Sequence, residues 1–228
     1  MDEIWNGLWK AIELIATLNP QVVEITTRSL AISISSATLA ALVCIPLGGI
    51  IEFRRFWGKR ALVNIIQTLY SLPTVTVGLL VFLLISRSGP LGGLNMLFTP
   101  TGMVLGQALL VCPIMIGLTI SALGGVSPQI KDTAKSLGAT EAQIIMTVIK
   151  EARTAVVAAV LLGFGRALSE VGVAMMIGGN IRGYTRVLTT SIALETSMGN
   201  LELSMALGII LISISLAINL AMNRIQGG

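Results

Sequence analysis

Arg166 and Glu170 are the residues whose types and spacing first suggest chemistry. They are ionisable side chains within the otherwise uncharged run GFGRALSEVGVAMMIGGNI, residues 163–181. Residues four apart share one face of a helix, so the guanidinium and the carboxylate can pair. An unpaired charge at the centre of a membrane helix costs about 2.5–3.5 kcal/mol on insertion scales. Two interpretations stay open: the pair fixes helix packing, or one or both side chains line the path of a solute.

Other residue types offer little for catalysis. Histidine is absent, which removes the commonest metal ligand and the usual general base. Cys44 and Cys112 both lie within apolar runs and are interpreted as small packed side chains. Neither an H-E-x-x-H motif nor an aspartyl pair occurs in the apolar segments. An intramembrane enzyme is therefore disfavoured, and we predict neither a catalytic nor a metal site.

The composition is that of an integral membrane protein. Of 228 residues, 54% are hydrophobic and 11% are charged, whereas soluble domains carry about 25% charged residues. A spanning helix needs about 20 apolar residues. Five segments satisfy this and predict an all-α domain over residues 25–223: 29–51, 61–86, 102–124, 154–178 and 203–223. Pro73 interrupts the second segment and predicts a kink or a local break.

Residues 1–20 form a separate amphipathic segment. Apolar residues recur there at helical spacing: Ile4, Trp5, Leu8, Trp9, Ile12, Ile15 and Leu18. Such a helix can lie in the membrane interface, or it can pack on the membrane helices of its own chain. The acidic start, MDEIW, is unlike the basic start of a cleavable signal peptide.

The distribution of basic residues predicts the orientation. The segments 52–60, 125–153 and 224–228 would share one side and hold nine Lys and Arg residues, against five on the other side. The positive-inside rule makes the first side cytoplasmic. We therefore predict a multi-pass protein with its amino terminus outside and its carboxyl terminus in the cytoplasm.

One polar stretch on that cytoplasmic side has sharp helix boundaries. Ser127 and Pro128 supply an N-cap and a first helical residue, and Gly138 can take the left-handed conformation that ends a helix. A short helix over 128–137 follows, and Thr140 with Gln143 predicts a capping box for a second helix. A short, mostly polar helix of this kind suits docking into a groove on a soluble partner. The alternative is a plain helical connector.

The stretch DTAKSLGA resembles the cytoplasmic signature of ABC importer permeases. Asp132 stands for the family's glutamate, Thr133 and Ala134 for its two alanines, and Gly138 for its glycine. The sequence departs from the family pattern later, where Lys150-Glu151 replaces Leu-Pro. In that family this coupling helix docks into the ATPase subunit and transmits its closure to the pore. The resemblance implies these coupling residues: Asp132, Thr133, Ala134, Leu137, Gly138 and Ala139.

A longer stretch narrows the resemblance. GFGRALSEVGVAMMIGGNIRGYTRVLTTSIALET, residues 163–196, is similar to tungstate importer permeases and less closely to molybdate ones. That similarity implies a tetrahedral oxyanion delivered by an extracytoplasmic binding protein. Arg182 and Arg186 fall on the predicted outer loop, where they can contact the anion or the binding protein. The alternative is that both are ordinary loop arginines.

The resemblance implies the partners, and one absence from the sequence agrees with it. There is no G-x-x-x-x-G-K-[ST] phosphate loop, so if transport is ATP-driven, ATP and its Mg would be bound by a separate ATPase and no cofactor by this chain. Five spans are few for enclosing a solute path. We expect two copies, two ATP-binding subunits and one binding protein in a prokaryotic plasma membrane, with no nucleic acid. Molybdate, sulfate or phosphate remain alternative substrates. A stand-alone secondary transporter is disfavoured because Glu170 is the only acidic residue well inside a predicted span.

Overall fold

The computed structural model describes residues 2–226, and every regular element in that range is helical. Met1, Gly227 and Gly228 lie outside the described residues, as does the Ile4 side chain. The prediction of an all-α protein is therefore confirmed for the described range. The helices are α1 (Asp2–Ala16), α2 (Pro20–Phe53), α3 (Lys59–Thr68), α4 (Thr74–Ile85), α5 (Pro100–Gly124), α6 (Pro128–Ser136), α7 (Glu141–Glu151), α8 (Arg153–Leu168), α9 (Gly172–Gly178), α10 (Leu188–Ser197) and α11 (Leu201–Gln226).

Three of these helices, α2, α5 and α11, are long and apolar enough to cross a membrane. Two further candidates are bent pairs. The chain turns by 101° between α3 and α4, and by 59° between α8 and α9. The described residues thus hold three candidate spans, or five when each bent pair counts as one span. The sequence predicts 154–178 as one continuous helix, and the structure divides it.

Helices α2 and α5 form the centre of the bundle. Cys44 is fully buried between them in a cluster with Val111 and Met115, and both cysteines of the chain are free. The two helices approach closely at Gly48, where an added Cβ would lie 2.8 Å from Cβ of Thr119. Small residues permit such backbone contact in membrane helices.

The two breaks have different local causes. Pro73 precedes α4, after a 3-10 turn over Leu69–Ser71, as the sequence predicts. The break between α8 and α9 has no proline, and there Oε1 of Glu170 accepts a hydrogen bond from the Val173 amide at 3.2 Å. This bond satisfies an amide that the start of α9 would otherwise leave without a partner. The two breaks lie close together in the fold, since a Cβ at Gly172 would lie 2.8 Å from Oγ1 of Thr74.

Helix α1 packs on its own chain, which is one of the two alternatives drawn from its sequence. Ala11 is buried, and Nζ of Lys10 lies 2.6 Å from Oε1 of Glu202 at the start of α11. The hydrogen bond to this carboxylate raises the pKa of the Lys10 amino group. Trp5 and Trp9 are exposed. The helix therefore packs on its own chain with one face and presents two tryptophans on the other.

Candidate functional site

Helix α6 is a short projection from the bundle. It starts at Pro128, directly after Ser127, and ends at Ser136, one residue before the predicted boundary. The Ser127 hydroxyl does not cap the helix amides but bonds Oε1 of Gln129 at 3.1 Å. Asp132 and Thr133 are exposed, and no residue of this described helix is buried. Most of the surface of α6 is therefore available in the single chain.

A glycine cap ends α6 and points an apolar side chain outward. Gly138 has a φ of +78°, and its amide donates to the Lys135 carbonyl at 3.0 Å. The Ala139 amide donates to the Ala134 carbonyl, also at 3.0 Å, so the last carbonyls of the helix are satisfied. Leu137, which precedes the glycine, is 82% exposed. A Cβ at Gly138 would meet nothing within 4 Å, so its conformation, and not space, requires the glycine.

Helix α7 connects this projection to α8. Its capping box is formed as predicted: the Gln143 amide donates to Oγ1 of Thr140 at 3.4 Å, and the Thr140 amide donates to Oε1 of Gln143 at 2.8 Å. A single residue, Ala152, separates α7 from α8. Ala152 is buried with Val148 in a cluster against which Ile130 of α6 packs. Movement of α6 can therefore pass through packed side chains to the start of α8.

The Arg166–Glu170 pair lies at the other end of α8. Nη1 of Arg166 is 3.0 Å from Oε2 of Glu170. The Glu170 side chain is 1% exposed and the Arg166 side chain 35% exposed. Because Glu170 also accepts the Val173 amide, both of its carboxylate oxygens are occupied. A guanidinium has five N–H donors, so Arg166 retains donors that can face outward.

Arg166 lines a groove between α8 and α11, of about 400 Å³. Its polar lining consists of Arg166, Ser169, Ser215 and Asn219. The serine hydroxyls bond backbone carbonyls of their own helices, Ser169 to Gly165 at 3.0 Å and Ser215 to Leu211 at 2.8 Å. The Arg166 guanidinium and the Asn219 amide are therefore the groups best placed to offer donors to a ligand in this groove.

The two residues that the sequence proposes for a solute path are paired but differ in exposure. Arg166 lines the groove, whereas Glu170 is buried behind it. Sequence reasoning missed Ser169, Ser215 and Asn219. The sequence could have indicated Ser215 and Asn219, because these two polar residues are four positions apart on a largely apolar helix and thus share a face.

The predicted outer-loop arginines have different surroundings. Arg182 is exposed. Arg186 is partly buried, with Nη1 3.6 Å from Oε1 of Glu195, a carboxylate that also accepts from Nδ2 of Asn200 at 3.0 Å. Glu195 belongs to α10, a helix that lies between the predicted fourth and fifth spans. Arg186 is therefore tied to the protein, and Arg182 is the freer of the two.

A third arginine joins this region. Arg28 of α2 donates from Nη2 to the Gly183 carbonyl at 2.9 Å and to Oε1 of Glu24 at 2.7 Å. Arg28, Arg182 and Arg186 line a cavity of about 240 Å³ with Glu24 as its acidic member. Three guanidinium groups and one carboxylate give this surface a positive balance. Arg28 is one of the five basic residues on the predicted outer side.

Comparison with known proteins gives one family. The family described as binding-protein-dependent transport system inner membrane component matches residues 44–227. The chain is 42% identical, over 99% of both chains, to a tungstate uptake system permease protein of Peptoclostridium acidaminophilum. It is 40% identical to a probable anion ABC transporter permease protein of Haloferax volcanii, over 87% of this chain and 88% of that one.

The fold has solved counterparts. A chain of the inward-facing MetNI methionine ABC transporter superposes with a TM-score of 0.74 and 17% identity, covering 92% of this chain and 96% of that one. The shared architecture and the family match over most of the sequence agree with each other. This chain belongs to the family of inner membrane components of binding-protein-dependent transport systems.

Proposed function

We propose that the chain is the permease subunit of an ATP-driven ABC importer and that its substrate is tungstate. The observation that carries this proposal is the 42% identity, over 99% of both chains, to a tungstate uptake permease. The chemistry of the α8–α11 groove is consistent with it, because a guanidinium and an amide can donate hydrogen bonds to an oxyanion. The chain itself is not catalytic and binds no cofactor.

The α8–α11 groove is the proposed anion path. Tungstate carries two negative charges, so its passage through a low-dielectric layer is costly without donors. Arg166 lowers that cost, while its bond to Glu170 at 3.0 Å keeps it partly neutralised. A fully free guanidinium would bind the anion more tightly and slow its release. Glu170 thus acts by positioning and by moderating the charge of Arg166.

A second copy of the chain closes this path. The middle and carboxyl-terminal part of α11 has little covering in the single chain: Ile212 is 70% exposed, and Leu216 and Leu220 are each 56% exposed. Arg166, which lines the groove against α11, would be costly against lipid alone. A two-fold pair of chains would bring two α8–α11 grooves to face each other and bury the apolar residues around them.

Each of two ATP-binding subunits docks on the α6 of one copy, and the ATP-binding subunits themselves bind ATP with its Mg. Leu137 at the tip of α6 supplies the apolar side chain for a groove on the ATPase. Closure of the ATPases then moves α6, and the packed contacts of Ile130, Val148 and Ala152 transmit this movement to α8. Because Arg166 lies near the far end of α8, the movement reaches the groove.

In the proposed importer α6 lies in the cytoplasm and the amino terminus outside, in a prokaryotic plasma membrane. The cavity lined by Arg28, Arg182 and Arg186 then faces the extracytoplasmic binding protein. Its positive balance suits a carboxylate on that protein or the anion being handed over. Because Arg182 is exposed, it makes the first contact with the binding protein or the anion. Arg28 and Arg186, which are bonded within the protein, lie behind it.

Uptake by cells tests the choice of substrate. A strain that lacks the gene should lose tungsten accumulation at low external tungstate, and the restored gene should return it. Molybdate should compete only in excess and sulfate hardly at all, with cellular tungsten and molybdenum measured by mass spectrometry. Loss of molybdate or sulfate uptake, with tungsten accumulation unchanged, would instead identify the permease of that other anion.

A further inference from the structure

A cavity that the transport path does not use lies at the α6 side of the bundle. It measures about 630 Å³ and opens between the ends of α2 and α5 and the α7–α8 pair. Its walls are mostly apolar and include Ile45, Leu123 and Val156, with Thr119 as one uncharged polar member. Its size is within the range of about 300–1,000 Å³ that is usual for ligand pockets. Walls of this kind suit a hydrocarbon chain and exclude a polar metabolite.

The mouth of the cavity is positively charged. Arg54, which directly follows α2, and Arg153, which begins α8, both line the cavity, and both are exposed. Among the described residues that line the cavity, none is acidic. The nearby carboxylate of Glu52 is engaged elsewhere, since its Oε2 lies 2.9 Å from Nζ of Lys59. The two guanidinium groups are therefore available to an anion at the open end of an apolar chamber.

The neighbouring surface has the character of a membrane interface. Phe56 and Trp57 follow Arg54 in the loop between α2 and α3, and both are exposed. Aromatic rings, tryptophan above all, collect at the level of lipid headgroups, and basic residues collect on the cytoplasmic side of that level. The mouth of the cavity thus lies where headgroup phosphates are expected, with its mostly apolar walls on the hydrocarbon side.

We propose that this cavity binds one anionic phospholipid of the cytoplasmic leaflet. The acyl chain occupies the apolar chamber, and Arg54 and Arg153 hold the headgroup phosphate. Guanidinium groups bind phosphate oxygens in bidentate fashion, and basic pockets between membrane helices are typical sites for anionic headgroups. The choice of leaflet rests on the orientation given under Proposed function, while binding itself does not depend on the transported anion.

The bound lipid would contact both sides of the α7–α8 junction. Ile145 and Ile149 of α7 and Val157 of α8 line the same cavity, and Ala152 separates the two helices. An acyl chain between them would stabilise one angle of this junction. The lipid is therefore placed to affect how firmly α6 is connected to α8.

Native mass spectrometry of the purified full chain, with the subunits that co-purify with it, tests the proposal. After removal of lipid, phosphatidylglycerol should bind at one molecule per chain, and phosphatidylcholine with the same acyl chains should bind much more weakly. Arg54→Gln with Arg153→Gln should weaken phosphatidylglycerol binding about tenfold or more. Arg55→Gln with Arg60→Gln removes the same charge from exposed arginines outside the cavity and should leave binding unchanged.

A second variant tests whether the acyl chain occupies the apolar chamber and leaves both arginines unchanged. Gly49 lines the cavity, and its added Cβ would meet only Cδ1 of Leu123, at 3.8 Å. Gly49→Leu should fill the chamber and lower lipid retention while the chain stays folded, as checked by its thermal unfolding.

Equal binding of both lipids, equal losses in the two arginine pairs, or competition by inorganic phosphate alone would overturn the proposal. So would a cross-link from this cavity to a second copy of the chain. A failure of tungstate uptake would leave all these readouts unaffected.

Discussion

Gly138→Val is expected to insert and fold but to lose most ATP-coupled uptake. The glycine that ends α6 has a φ of +78°, a region in which a β-branched residue is strained by about 1–3 kcal/mol. The strain is relieved by a change of the turn, which moves Leu137 away from its docking position. Since each 1.4 kcal/mol is a factor of ten in population, uptake should fall about tenfold or more. Transport and ATP hydrolysis measured on the same preparation would show the two uncoupled.

Two controls separate this effect from general damage. Gly138→Asn should retain most uptake, because asparagine tolerates the left-handed region far better than valine. Gly58→Val carries the same kind of strain, at a φ of +89° with nothing within 4 Å of an added Cβ, but in the loop before α3. It should therefore leave coupling intact. Full uptake by Gly138→Val would show that α6 does not dock as proposed.

Neutralising the Arg166–Glu170 pair is expected to have the second large effect. Arg166→Gln with Glu170→Gln removes both charges at once, so neither is left buried and unpaired. The amide oxygen of a glutamine introduced in place of Glu170 can still accept the Val173 amide, which keeps the break between α8 and α9 satisfied. A hydrogen bond to a charged group contributes about 1.5–3 kcal/mol, so tungstate uptake should fall about tenfold or more. Uptake normalised to the amount of assembled complex is the measurement.

Single changes at these positions have specific uses. Arg166→Gln alone leaves the Glu170 carboxylate buried without its cation, which is destabilising by about 3–5 kcal/mol for a buried pair and therefore confounds folding with transport. Arg166→Lys keeps the positive charge and should retain measurable uptake where the double glutamine variant does not. Exchanging Arg166 and Glu170 is a poor test, because it would place a cation where the Val173 amide needs an acceptor. Uptake at the original rate by the double glutamine variant would mean that the pair is only structural.

The local structure of α6 and α7 was predictable because it is determined by neighbouring residues. The glycine cap at Gly138 and the capping box of Thr140 with Gln143 each depend on a few adjacent residues, and all are present in the structure. The break at Pro73 was predictable for the same reason, since proline cannot continue a helix. The predicted side-chain cap at Ser127 is wrong, because its hydroxyl bonds a neighbouring side chain in place of the helix amides.

The break after α8 and the helix α10 depend on contacts that are distant in sequence. Hydropathy predicts 163–178 as part of one span, yet Glu170 ends it by bonding the Val173 amide while Oγ1 of Thr189 donates to its carbonyl at 2.7 Å. Helix α10 lies outside the five predicted spans, and its buried Glu195 pairs with Arg186 and Asn200. Such partners are known only once the chain is folded.

Transport by reconstituted vesicles tests the proposed importer most directly. The chain, its ATPase subunits and its binding protein are placed in liposomes, and tungsten movement is measured with ATP supplied on the side that carries α6. We predict that tungstate moves toward that side only when ATP and the binding protein are both present. Tungstate movement driven by an ion gradient without ATP would contradict an ATP-driven importer, and ATP-driven transport of molybdate or sulfate with no transport of tungstate would contradict the proposed substrate.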